Sequence, residues 1–91
     1  MINEVKERAE KEIGMMKKVF NSISLIQEND LADEFFNMAF NYFKDSEFFF
    51  EKTDYIRAFE AVVISWSYVD AGLKAGFFSV SDDLKEYFTA T

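Results

Sequence analysis

At 91 residues, about half of them hydrophobic, with a net charge of −7, the chain can build one packed core, is too short for two, and is too apolar to stay disordered. It contains no cysteine and no histidine, which excludes a disulfide framework, thiol catalysis and the usual zinc ligands. Its apolar runs fall far short of the ~20 residues that cross a bilayer, so no membrane association is expected.

Charge is uneven along the chain. Residues 1–28 balance five basic side chains against five acidic ones, so the whole negative excess lies in residues 29–91. An acidic chain without a segregated basic stripe repels phosphate backbones, and nucleic acid is not an expected partner. The opening Met1-Ile2-Asn3-Glu4-Val5-Lys6-Glu7 lacks the basic and apolar regions of a signal peptide, which makes the cytoplasm the expected location.

With no proline in the chain, boundaries must come from caps and from breaks in periodicity. Ile2, Val5, Ala9, Ile13, Met16, Phe20 and Ile23 recur at steps of three and four and predict a first helix over about 2–26. Glu4–Arg8 and Glu7–Lys11 have the spacing of ion pairs on its solvated face. Asn29 or Asp30 is the expected N-cap of a second helix, about 31–52. That helix has a broad apolar arc: Leu31, Phe35, Met38, Tyr42 and Phe49 form one edge, Ala32, Phe36, Phe43 and Phe50 the other, with small Ala39 and Ser46 between them.

Thr53 or Asp54 can cap a third helix, about 55–75, with Gly76 as a left-handed residue beyond its end. Its apolar face is Tyr55, Phe59, Val62, Trp66, Val69 and Leu73. Beside it run Ala58, Ala61, Ser65, Gly72 and Gly76, a small-residue stripe suited to the small centre of the second helix and to a tight antiparallel hairpin. The tail, 77–91, is too apolar to hang free: Ser81 can cap a short turn that sets Leu84 and Phe88 on one side, packed over an end of the bundle. The expectation is a single domain over 1–91, all-α, an up-down-up three-helix bundle with a short packed C-terminal tail and no β-sheet.

The segment from Asp54-Tyr55-Ile56-Arg57-Ala58-Phe59-Glu60 to Asp70-Ala71-Gly72-Leu73-Lys74-Ala75-Gly76-Phe77-Phe78 resembles the mostly archaeal family called domain of unknown function 357. Members have a similar Asp-Tyr-x-x-Ala-Phe-Glu stretch and a Leu-Asp-Ala-Gly-like stretch ending in Gly and a short apolar tail. Where they often have Tyr-Ala-His ahead of the second Asp, this chain has Ile64-Ser65-Trp66, so any role of that histidine is absent here. The resemblance implies a short helical bundle and supplies no activity.

Chemistry can be tested by inventory. A serine nucleophile lacks its commonest base, the Glu-x-x-His di-iron motif cannot occur, and no EF-hand spacing is present. No catalytic residue, metal site or cofactor is expected, and the chain is read as a non-enzyme. Two surface readings remain. Ile64 and Tyr68, one turn apart on the third helix, lie opposite its core stripe, while Phe40 and Phe48 lie at and beyond the margin of the second helix's arc. An apolar patch of this kind predicts protein–protein association, with a two-fold homodimer as the economical form. The alternative is a small-molecule or oxygen-ligated-cation site built from Asp54, Tyr55 and Asp70. Asp70 is the most interesting of these, a carboxylate beside aromatic rings, although it can equally be tied at the bundle edge to a tyrosine, a cap or the tail.

Overall fold

The computed structural model describes residues 2–89, with the side chains of residues 4–89. The side chain of Ile2 in the expected stripe, and residues 90 and 91 of the expected tail, lie outside them. Three helices account for most of the described chain: α1 (Ile2–Ser22), α2 (Asp30–Glu51) and α3 (Tyr55–Lys74). They run up, down and up. Phe20 of α1 meets Phe36 and Phe43 of α2, and Arg8 and Lys6 near the other end of α1 reach Phe59 and Tyr55 at the start of α3.

α2 and α3 make the closest pair. Ala39 and Ser46 of α2 and Ala58, Ala61 and Ser65 of α3 are all buried, with Ser46 and Ser65 at 0% exposure. Small side chains there let the two backbones approach, and the hydroxyls are satisfied locally. Ser65 donates across the interface to the Ala39 carbonyl at 2.6 Å, while Ser46 donates back along its own helix to the Phe43 carbonyl at 2.6 Å. α1 lies alongside this hairpin, closer to α3 than to α2. Its buried positions are Ala9, Met16 and Val19, so Val19 joins the expected stripe.

α1 is shorter than its periodicity predicts, ending at Ser22 rather than about residue 26. Beyond the last helical bond, from Ile23 N–H to the Val19 carbonyl, β-branched Ile23 and Ile26 and two serines weaken the case for another turn. Those residues extend instead and find a backbone partner. Strand β1 (Ser24–Leu25) pairs antiparallel with strand β2 (Phe78–Ser79), and Ile26 N–H donates to the Phe77 carbonyl at 2.7 Å. This two-residue ladder is the one departure from an all-helical reading among the described residues. Arg8 also departs from expectation, pairing with Glu12 at 3.9 Å instead of Glu4.

Both helix stops around α3 follow one pattern. After α2, Thr53 N–H bonds to the Phe50 carbonyl and Asp54 N–H to that of Phe49. After α3, Gly76 N–H bonds to the Leu73 carbonyl and Phe77 N–H to that of Gly72. Each is a Schellman motif whose central residue is left-handed, Thr53 at φ 60° and Gly76 at φ 78°. Asp54 then caps α3, accepting from Arg57 N–H at 3.2 Å, as Asn29 caps α2 by accepting from Ala32 N–H at 2.8 Å.

Gly72 and Gly76 do not extend the small-residue contact with α2, as the sequence predicts. Gly76 makes the turn, and Gly72 takes the ring of Phe78, which would collide with any Cβ there. Past β2 the chain folds into a 3₁₀ turn (Asp82–Tyr87). Ser81 starts it through its carbonyl, which accepts from Leu84 N–H, and not through its side chain. Leu84 and Phe88 are buried as expected. The tail closes the flank between α1 and α3 and not an end of the bundle, because Trp66 and Glu12 there offer a stacking surface and a hydrogen-bond acceptor.

Two stability predictions follow from these contacts. Ser65→Leu adds volume at the closest crossing and should destabilise by ~1–3 kcal/mol, against ~1 kcal/mol for Ser65→Ala, which only loses a hydrogen bond; denaturant unfolding of the two variants reads the difference. Thr53→Gly should stabilise by roughly 0.5–1 kcal/mol, since the left-handed penalty of ~1–2 kcal/mol on a side-chain-bearing residue exceeds glycine's entropic cost. Its melting temperature should rise by several degrees.

Candidate functional site

Three surfaces carry what chemistry the chain has. The first is the face of the α2–α3 hairpin turned away from α1. Phe35 and Tyr42 from α2 and Tyr68 from α3 meet there: Tyr68 lies edge-on to Phe35 at 5.7 Å and stacks on Tyr42 at 6.4 Å. Phe35 and Tyr68, with Glu34, Asn37 and Met38, border a groove of about 480 Å³. Met38 (37% exposed) and Ile64 (38% exposed), the latter one turn before Tyr68, stand in water at this face.

The expected interface residues divide between two sides. Ile64 and Tyr68 share the hairpin face, although Tyr68 is half-buried between its aromatic neighbours and not opposite the core as predicted. Phe40 belongs elsewhere. At 100° per residue it points about 200° from Met38, and it packs against Phe20, Phe36 and Phe43 on the side of α1. Phe48, the most exposed of its triplet at 54%, projects from α2 with Lys52 over its ring and touches Phe49. Phe35 and Met38 complete the groove. The sequence contains their signal, since both lie on the Leu31–Phe49 edge of the apolar arc.

The expected polar residues do not form one site. Asp54 is the α3 N-cap, with Arg57 3.6 Å from its other oxygen. Tyr55 packs edge-on to Phe50 under Lys6. Asp70, sixteen residues further along the same helix and so ~24 Å away, accepts from Thr89 N–H at 3.0 Å and from the Thr89 hydroxyl at 2.7 Å. It fastens the end of the tail. The second surface lies between α1 and α2, where Glu10, Glu47 and Glu51 rim a shallow depression over Ile13 and Phe50, but among the described residues no three acidic side chains converge on a point that could hold a metal ion.

The third surface is the flank closed by the tail. Glu12 accepts from the Tyr87 hydroxyl at 3.1 Å, and Trp66 Nε1–H donates to the Tyr87 carbonyl at 3.0 Å. Burial first, then the negative charge of Glu12, pushes the Tyr87 hydroxyl well above the usual phenol range. Glu12 falls three residues after Ala9 and four before Met16, on the buried stripe of α1, but nothing near it in the sequence marks the Tyr87 hydroxyl that it accepts from.

The sign of that shift gives a pH dependence. A group that holds its proton more tightly when folded adds stability that is complete below the unfolded pKa, about 10 for tyrosine, and is lost as pH rises beyond it. Tyr87→Phe should cost about 1–2 kcal/mol at neutral pH, in the lower part of the range for a hydrogen bond to a charged group because Glu12 keeps some contact with water. Above about pH 10, the gap between the two proteins should narrow. Urea unfolding of both at neutral and alkaline pH measures this.

No helix among the described residues is long and apolar enough to cross a membrane. No curated protein is significantly similar to the sequence. Among solved structures, the crystal structure of protein AF1782 from Archaeoglobus fulgidus is similar at 29% identity, with a TM-score of 0.74, over 88% of this chain and 97% of that one, and it carries the DUF357 description. The sequence model of that family, described as "Protein of unknown function (DUF357)", matches residues 7–78, which takes in most of α1 as well as the segment from Asp54 to Phe78 that carries the resemblance. The Tyr87 side of the tail-closed flank lies beyond the match. With most of its length covered, the chain belongs to the DUF357 family of proteins of unknown function.

Proposed function

We propose that the protein is a non-enzymatic helical interaction module that self-associates as a dimer through the open face of its α2–α3 hairpin. The observation that carries this reading is the groove around Phe35 and Tyr68, with Met38 and Ile64 exposed at its side. A three-helix bundle has two flanks on its central hairpin; here α1 occupies one and the tail, after Phe77 touches Phe35 edge-on, folds onto the α1–α3 side, so the rest of this face stays uncovered. Contiguous apolar surface left in this way is a recurrent mark of an interaction site.

A second copy is the occupant that best suits the face. The groove lies between two long antiparallel helices, and pairing two such hairpins about a two-fold axis produces a four-helix arrangement with aromatic anchors at its centre. The rim of Glu34 and Asn37 supplies the polar border that surrounds an apolar interface centre. The non-enzymatic part rests on the inventory, which lacks histidine and cysteine, and on the distance between Asp54 and Asp70. The same distance counts against a ligand site shared by Asp54, Tyr55 and Asp70. Cysteine-free composition and an acidic, water-facing surface fit a cytoplasmic setting.

Light scattering tests the proposal. The native chain should have twice its 10.7 kDa mass at micromolar concentration. Met38→Glu combined with Ile64→Glu should yield a folded monomer, because both side chains stand in water in the single chain and would bring four carboxylates together across the two-fold axis. A monomeric native chain, or a dimer untouched by the double substitution, refutes the assignment.

A further inference from the structure

On the flank closed by the tail, Glu12, Val62, Val63, Trp66 and Tyr87 line a cleft of about 210 Å³ between α1 and α3. Val62 and Val63 make its wall apolar. The indole of Trp66 and the phenol of Tyr87 stand at 81° with centroids 6.4 Å apart, forming an aromatic corner. Each ring is held in place. Trp66 stacks on Phe88 at 5.7 Å and donates to the Tyr87 carbonyl, and the Tyr87 hydroxyl donates to Glu12.

Glu12 makes the corner electrostatically one-sided. Its side chain is only 17% exposed, and its cationic neighbour, the Arg8 guanidinium, is 3.9 Å away on a side chain that is itself 59% exposed. That pair is long and solvated, so it neutralises the carboxylate poorly. The phenol stays protonated, which leaves a neutral ring beside a negative charge. The chain as a whole, at −7, favours cations over anions.

These features select among ligands. An anion would be repelled by Glu12. A bare alkali or alkaline-earth cation needs six or so oxygen ligands, and the cleft offers a single carboxylate. A cation whose charge is spread over alkyl groups needs none: aromatic faces attract it, a carboxylate balances it and valines accept its methyls. The cleft has room for about seven waters at ~30 Å³ each, enough for a head of five heavy atoms.

We propose that this cleft binds a small free alkylammonium ion, with Glu12 as counter-charge and Trp66 and Tyr87 as aromatic walls. The site is independent of self-association, since Trp66 and Tyr68 point about 200° apart on α3.

Trp66 is the single tryptophan of the chain, so its fluorescence reports on the cleft directly. Titration of the full chain with tetramethylammonium chloride should give a saturable change in emission with a midpoint near ~1–10 mM, absent with potassium chloride at equal ionic strength and with tert-butanol, an uncharged analogue of similar size. Glu12→Gln, which keeps an acceptor for Tyr87, should raise the midpoint by about tenfold or more. Arg8→Gln removes an exposed competitor and should lower the midpoint about twofold or more, an effect that loss of structure cannot mimic. The proposal is overturned by the absence of a saturable response to tetramethylammonium, by an equal response to potassium chloride or tert-butanol, or by midpoints that ignore both substitutions.

Discussion

The close approach of α2 and α3 governs where nearly everything else in the molecule can go. Ala39 and Ser46 facing Ala58, Ala61 and Ser65 leave no room for rings at the centre of the hairpin, so the aromatic residues of α2 are displaced to its two edges. The Phe36 and Phe43 edge receives Phe20 of α1 at 6.0 and 5.1 Å and becomes core. The Phe35 and Tyr42 edge receives Tyr68 from α3 and no further helix. The heavy phenylalanine content is thus divided between an edge that α1 buries and one that remains half in water. The Ser65–Ala39 hydrogen bond ties the centre together without adding bulk, which an aliphatic side chain of greater volume could not do.

The helix stops turn this packing into a topology. Asp54 is used twice, as the residue that completes the Schellman motif of α2 and as the cap of α3, so the hairpin turns with almost no loop between its helices. The backbone there is left-handed at Thr53, a strained conformation for a β-branched residue. At the other end Gly76 turns the chain at no such cost, Phe78 settles on Gly72, and β2 meets β1. A short ladder between the ends of α1 and α3 fixes both loops at once and directs the remaining tail toward Glu12 and Trp66.

How far the sequence revealed this depended on whether a feature was local. The three helices, a cap at Asn29 or Asp30 and another at Thr53 or Asp54, the left-handed Gly76 and the buried Ser46 and Ser65 all leave marks within a few residues and were legible. The end of α1 was not, because Ile23 and Ile26 continue a helical rhythm and their preference for extension is decided by a partner strand more than fifty residues away. Which edge of α2 stays open was not legible either: Leu31, Phe35, Met38 and Tyr42 have core periodicity, and periodicity identifies a stripe without saying whether another element covers it. Glu12 shows the converse. Its position on the buried stripe was visible, but the Tyr87 hydroxyl that justifies burying it comes from the far end of the chain.

The path of the tail connects the two candidate surfaces. Crossing to the α1–α3 flank, it spends Leu84 and Phe88 on the core and Tyr87 on Glu12, and Asp70 then secures Thr89. The same segment laid over Tyr68 would have sealed the hairpin groove and left Trp66 without a stacking partner. Phe77 marks the limit of what the tail does on that side, touching Phe35 edge-on at 5.5 Å before the chain turns away. Closing one aromatic flank therefore leaves the other open, and it also creates the corner of indole, phenol and carboxylate that neither helix contains by itself. In so small a chain, a single short segment can determine which surface is core, which is a cleft and which is available to a partner.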